Sequence, residues 1–235
     1  HARVAEARRE RRQLNRLRRE PSRTRDGIDI KLWANAESRD DVSEAHALGA
    51  AGVGLYRTEF LFLGSNALPD EDAQFRAYRD AVLAMTGRTV TIRTLDLGAD
   101  KADKTGLALR DEPNPALGLR GVRLSLARPE LLRAQLRAIG RASGYGPIRI
   151  LVPMVTAAEE LQAVRSALHA ALAELRAEGL EVAAHIPLGA MIEVPSAALA
   201  LRSFIGGCDF ISVGTNDLVQ YLLAADRTNE SLGEL

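Results

Sequence analysis

From Ile28 onward, short apolar runs alternate with longer stretches of helical periodicity. The runs Ile28–Ala34, Val53–Tyr56, Thr89–Leu95, Ile148–Met154, Leu188–Val194 and Phe210–Val213 read as six strands. Helices are expected between them. Ser38 is a candidate N-cap, with Asp40 and Asp41 in the first turn of a helix running to Leu48. Pro69–Asp72 opens a helix that ends near Gly87, and Pro129 sits at the first turn of one reaching Ala142. Thr156 is placed as the cap of a longer amphipathic helix to near Glu178, followed by helices over Ser196–Phe204 and Asp217–Ala224. Strands joined through helices are parallel, and near-continuous apolar strands are buried on both faces. Two architectures meet these conditions: an open doubly wound sheet and a (β/α)8 barrel. An open nucleotide-binding sheet usually carries a glycine fingerprint at its first strand–helix turn. Here that turn reads Ala34-Asn35-Ala36-Glu37-Ser38, without a glycine, and no Walker loop occurs anywhere. The fold expected is therefore α/β of the (β/α)8 TIM-barrel type, truncated after about six strands.

Ahead of the first strand the chain differs in character. Residues 1 to 25 hold Arg3, Arg8, Arg9, Arg11, Arg12, Arg16, Arg18, Arg19, Arg23 and Arg25 against Glu6, Glu10 and Glu20, although the net charge of the whole chain is zero. Val4–Arg19 is rich in helix formers but thin in apolar residues, and Pro21 ends it. Residues 1–27 are read as a linker helix and loop, and 28–235 as the barrel domain. Without an aromatic residue to stack on bases, the basic segment fits docking on an acidic neighbour better than nucleic-acid binding. The rest of the composition, 46% hydrophobic and 26% charged, excludes collagen-like and wholly disordered chains. No apolar run nears the roughly 18 residues of a membrane span, and no secretory h-region opens the chain. The single cysteine, Cys208, allows no internal disulfide, so a cytoplasmic location is expected.

In a barrel, chemistry gathers where strands end and βα loops begin. Those ends supply Asn35, then Arg57, Thr58 and Glu59, then Arg93, Thr94 and Asp96. Met154 at the fourth end offers little chemistry. Glu193 follows the fifth strand, and Thr215, Asn216 and Asp217 follow the sixth, with Asp226 and Arg227 beyond. Arginine forks suit phosphate and carboxylate, and a pair of carboxylates with a phosphate ligand is a common way to hold Mg²⁺. The set points to a small, multiply anionic substrate bridged to a divalent metal. Other assignments of the same residues stay open at this level. Arg57 and Arg93 fit equally as structural partners of Glu59 and Asp96. Glu193 also fits a supporting acid, and Asn216 and Asp217 also fit simple helix caps. Cys208 and Trp33 read as structural.

The motifs then resemble one family. The runs Gly52-Val-Gly-Leu-Tyr-Arg-Thr-Glu-Phe-Leu61, Ile92-Arg-Thr-Leu-Asp-Leu-Gly-Ala-Asp-Lys101, Glu112-Pro-Asn-Pro-Ala-Leu-Gly-Leu-Arg120, Met191-Ile-Glu-Val-Pro-Ser-Ala-Ala198 and Asp209-Phe-Ile-Ser-Val-Gly-Thr-Asn-Asp-Leu218 stand in order. Together with Gln220-Tyr221 and Asp226-Arg227 they resemble enzyme I of the bacterial phosphotransferase system, which shares its domain with fused multiphosphoryl transfer proteins. The resemblance implies a phosphoenolpyruvate-binding barrel, usually homodimeric. Arg57, Arg93, Arg227, Asn216 and Asp217 would hold the substrate, Glu193 and Asp217 would ligate Mg²⁺, and Arg120 is a further candidate. The family passes the phosphoryl group to a histidine of an N-terminal domain and then to the carrier protein HPr, for sugar uptake. That histidine's motif is absent here, and so is the family's acid cysteine in a Gly-Met-Cys-Gly-Glu-like loop. Cys208 does not sit in such a loop. The chain is thus expected to be a fragment, with no catalytic residue of its own and inactive alone. Two other classes fit the residues less fully: a non-catalytic interaction barrel docking through its basic helix, and a Mg²⁺-dependent oxo-acid lyase.

Overall fold

The structure is a computed structural model whose described residues are Arg9, 20–63, 68–98, 112–226, Asn229 and Ser231. The linker helix expected over Val4–Arg19 therefore lies outside the described residues except for Arg9, and so does Arg227. Six strands, β1 (Ala34–Ala36), β2 (Val53–Tyr56), β3 (Val90–Arg93), β4 (Ile148–Val152), β5 (Leu188–Ile192) and β6 (Phe210–Val213), form one sheet. Their order is β1-β2-β3-β4-β5-β6, and every neighbouring pair is parallel. Connections carry α1 (Arg39–Ala47), α2 (Glu71–Ala84), α3 (Gly121–Ala127), α4 (Pro129–Ala142), α5 (Ala158–Ala177), α6 (Pro195–Leu199), α7 (Leu201–Phe204) and α8 (Thr215–Leu223).

A doubly wound sheet reverses its strand order at a switch point. This sheet never does, and it winds in one direction as barrel strands do. Its curvature can be read from one side chain. The Arg149 guanidinium on β4 lies 5.0 Å from the centre of the Trp33 ring, beside β1, and 5.4 Å from that of Phe210, on β6. A flat sheet would hold those strands about 14 and 10 Å away, three and two strand spacings. Both rings instead reach the same cation, so the sheet curls around a lumen. Alternate residues face outward, where Val53, Val90, Ile92, Ile150, Leu188, Ala190 and Ile192 pack into the main core with the helices. The expectation of strands buried on both faces thus holds for β3, β4 and β5, whereas β1 and β6, at the two ends of the sheet, are largely open, with Ile211 and Val213 exposed.

Glycines in β2 and β5 make room for the lumen rings. A Cβ at Gly189 would stand 2.5 Å from the Phe210 ring, and one at Gly54 2.9 Å from the Trp33 side chain. Gly189→Ala is expected to cost about 1–3 kcal/mol as an overpacked site. It should appear as a lowered Tm in calorimetry, whereas the same change at Gly179, where a Cβ meets nothing within 4 Å, carries only the strain of its positive φ.

Local chemistry explains most boundaries and four departures. Ser38 caps α1 as expected: its Oγ accepts from Asp41 N, and the Asp41 carboxylate accepts from Ser38 N. The first strand, however, is only Ala34–Ala36 and not Ile28–Ala34. Among the described residues it is one of the two edge strands of the sheet, and Ile28, Ile30 and Leu32 are exposed, with Asp29 bridged antiparallel to Arg23. Thr156 is not the cap of α5, because Ala157 is. Glu160 instead reaches back to accept from Thr156 N, Thr156 Oγ1 and Ala157 N. The helix expected over Ser196–Phe204 is broken at Ala200 into α6 and α7. Finally, α3 was not foreseen, since it starts on a glycine directly after a loop.

Candidate functional site

At the C-terminal ends of β2 and β3, Arg93 and Arg120 are tied together by acids from three separate segments. Arg93 ends β3, and its Nη2 lies 3.2 Å from Glu59 Oε1 while its Nη1 lies 3.2 Å from Asp96 Oδ2. Arg120, at the N-cap of α3, donates from Nε and Nη2 to the two oxygens of Asp96, at 3.2 and 3.0 Å. Its Nη1 lies 3.4 Å from Asp217 Oδ1 and 3.2 Å from Tyr221 Oη, both on α8. Tyr221 in turn donates to the Ala116 carbonyl. The result is a chain of alternating charge, Glu59, Arg93, Asp96, Arg120, Asp217, that crosses from β2 to the helix after β6.

Beneath it lies a buried polar scaffold. Glu59 Oε1 also accepts from Asp96 N at 2.9 Å, and Thr58 Oγ1 donates to the Arg93 carbonyl at 3.0 Å. Gln135 on α4 accepts from Leu95 N and donates to Thr58 Oγ1 and Tyr78 Oη. A second apolar cluster of Phe62, Leu95, Leu97 and Leu124 underlies the loop that delivers Arg120. Two buried atoms have no partner among the described residues: Glu59 Oε2 and Arg93 Nε. A buried guanidinium N–H with no acceptor leaves one hydrogen bond unmade. Burial pulls the Arg93 cation toward neutrality, but Glu59, Asp96 and Glu193 more than offset it and keep the charge fixed. Burial pushes the Glu59 carboxyl up.

Glu193 follows β5 and is 1% exposed. Its Oε1 accepts from Met154 N at 2.7 Å. Met154 adopts a left-handed backbone, φ 57°, to aim that N–H, and it crowds Gly121, φ 56°, where a Cβ would stand 2.6 Å from Met154 Cβ. On the other side, a Cβ at Gly214 would lie 2.6 Å from Glu193 Oε2. Burial first, and then the neighbouring Asp96 and Asp217, push Glu193 up to about 7. Negative charge is therefore in surplus here, which a divalent cation would relieve. No group of three or more His, Cys, Asp or Glu suited to a metal occurs among the described residues. Two acids still suffice for Mg²⁺, which keeps several waters and takes the remaining oxygens from a phosphate ligand. The donor set fits that ion.

The other expected residues are placed as follows. Arg57 stands beside Arg93 through the β2–β3 pairing, but it bonds neither Glu59 nor Asp96. Its Nη1 donates to Glu37 Oε1 at 2.7 Å. Arg93 is the arginine that takes the Glu59 and Asp96 partners foreseen as its structural alternative. Asn35 borders a groove with Lys31, Trp33 and Glu44 along the sheet edge, apart from the arginine chain. Asn216 is exposed in the first turn of α8. It and Asp217 are not caps, since the N-cap is Gly214 and makes no side-chain bond. Cys208 is half-buried and its thiol donates to the Phe204 carbonyl. Three parts of the site escaped the sequence reading: Gln135, Tyr221 as the brace of Arg120, and the Met154 N–H. Gln135 alone left a signal, being a glutamine on the apolar stripe Leu132, Leu136, Ile139 of its helix.

Fold and site together define a barrel-type α/β domain whose strand ends carry a dense arginine–carboxylate network. The chain belongs to the PEP-utilising enzyme family, as its PEP-binding domain, whose profile matches residues 11–235. It is similar to the phosphoenolpyruvate-protein phosphotransferase of Cupriavidus necator, 48% identical over 96% of this chain and 39% of that protein. It is also similar to the protein of the same name in Listeria monocytogenes, 44% identical over 94% of this chain and 38% of that one. The chain thus spans about two fifths of the length of these relatives. A citrate lyase from Burkholderia xenovorans superposes with a TM-score of 0.47 at 15% identity, covering 84% of this chain and 52% of that one. No helix among the described residues is long and apolar enough to cross a membrane.

Proposed function

We propose that this domain binds phosphoenolpyruvate and Mg²⁺ at the β-strand mouth and donates the phosphoryl group to a histidine of a companion N-terminal domain, which passes it to HPr. The observation that carries the reading is the buried Arg93–Asp96–Arg120–Asp217 chain lying against the surplus acid of Glu193. Arg57, Arg93, Asn216, Asp217 and Arg227 are the substrate ligands, and Glu193 and Asp217 the metal ligands. Arg93, held between Glu59 and Asp96, turns a fixed positive charge to the substrate's oxyanions. Asp96 fixes both Arg93 and Arg120 before substrate arrives, so no reorganisation is needed as charge shifts from phosphate to enolate. Met154 N–H holds the Glu193 carboxylate in line. Bound Mg²⁺ would neutralise charge on the transferring phosphoryl group and the enolate left behind. Sugar uptake, cytoplasmic location and a homodimer follow from the same reading.

The test is transfer of label from ³²P-phosphoenolpyruvate to HPr by the intact protein, with Mg²⁺ present and after chelation. Labelled HPr only with the metal is expected. An intact, folded protein that binds phosphoenolpyruvate equally well with and without Mg²⁺, or labels no HPr, overturns the assignment.

A further inference from the structure

We propose that Glu37 is the resting ligand of Arg57 and competes with the incoming substrate, so that it sets the affinity of the mouth for phosphoenolpyruvate. This rests on Arg57 being a substrate ligand, as read above. The pair is dictated by the sheet. Arg57 N donates to the Ala36 carbonyl at 2.9 Å, which brings the residue after β2 alongside the residue after β1. Glu37 is held there by its own backbone: its N–H donates to Asp41 Oδ2 at 3.0 Å, within the cap of α1. Only its side chain is free to turn, and it turns onto Arg57.

The contrast with the other arginines shows what the contact does. Arg93 and Arg120 have side chains 12% and 15% exposed and are held by acids that stay buried. Arg57 is 40% exposed, its partner Glu37 is 36% exposed, and it has no other ion pair among the described residues. A pair so open to water adds little to the fold. Yet Glu37 occupies the Nη1 corner of the fork that an oxyanion would use, and its charge repels an anionic substrate. Phosphoenolpyruvate must displace it.

In the intact protein, Glu37→Gln keeps the shape and removes the charge. It is expected to tighten phosphoenolpyruvate binding in calorimetry roughly 2- to 10-fold at low salt, with the gain shrinking as ionic strength rises and Tm unchanged. Arg57→Gln should weaken binding, and adding Glu37→Gln to it should relieve only the through-space repulsion, a gain that falls away at high salt, whereas the gain in the parent keeps a part that salt does not remove. If Glu37→Gln leaves binding unchanged or weakens it while Arg57→Gln also weakens it, Glu37 does not compete and the inference fails, with the role of Arg57 intact. If Arg57→Gln binds as well as the parent, the reading of Arg57 as a ligand is what fails. A gain that vanishes entirely at high salt in both backgrounds also overturns competition through Arg57.

Discussion

Arg93→Met is expected to abolish phosphoenolpyruvate binding and to destabilise the domain by about 3–5 kcal/mol, the cost of leaving a buried ion pair with one partner. The reason is local. Arg93 is the cation between Glu59 and Asp96, both buried, and without it two carboxylates share one dry space. Because that variant risks failing to fold, Arg93→Lys separates the two roles. Lysine restores a positive charge but is a point donor, unable to span Glu59 and Asp96 while presenting a fork. It should recover much of the lost Tm and still bind phosphoenolpyruvate about 10- to 100-fold more weakly. Calorimetric titration alongside thermal melts reads both. A lysine variant that binds like the parent would remove Arg93 from the site.

Glu193→Gln should do the opposite to the resting fold. Its folded value is pushed up to about 7 from an ordinary 4.5, so between those values the folded state binds more protons than the unfolded one. Stability conferred by a raised acid is present below the unfolded value and lost as pH climbs through the folded one. Metal-free protein should therefore lose on the order of 3 kcal/mol between about pH 4.5 and 7 through this group, and no more above that. Glu193→Gln, with no proton to lose, should remove that slope and melt higher than the parent at pH 8 without metal. The same variant should lose Mg²⁺-dependent binding of phosphoenolpyruvate. Urea melts at pH 5 and pH 8, without and with Mg²⁺, test both halves. Parallel slopes in parent and variant would show that the acid is not strained in the resting site.

Both outcomes would reflect one trade. A site that concentrates Glu59, Asp96, Glu193 and Asp217 in a buried mouth would give up resting stability in exchange for affinity for the proposed cation and its anionic ligand.

Much of this was legible in the chain. Parallel winding followed from strand–helix alternation, and the barrel followed from a first turn without glycine, because those features depend only on local spacing. The cap at Ser38, the opening of α2 within Pro69–Asp72 and the start of α4 at Pro129 could be read for the same reason. Positions of Arg93, Glu193 and Asp217 at the mouth followed from strand ends. Who pairs with whom did not. Glu59, two residues after Arg57, serves Arg93, while Arg57 takes Glu37, twenty residues back. The Met154 N–H was invisible because a backbone amide bears no residue signature; its use depends on a left-handed φ that a neighbouring glycine accommodates.

The order of amino acids alone determined a singly wound α/β domain, its turn chemistry and the set of charged groups delivered to one rim, because hydrophobic period and capping act within a few residues of chain. Only the folded barrel decided which acid neutralises which arginine, and why Glu193 is left with a surplus of negative neighbours. Those pairings are set by through-space distance and by the exclusion of water, and neither exists until strands far apart in the chain close around a common lumen.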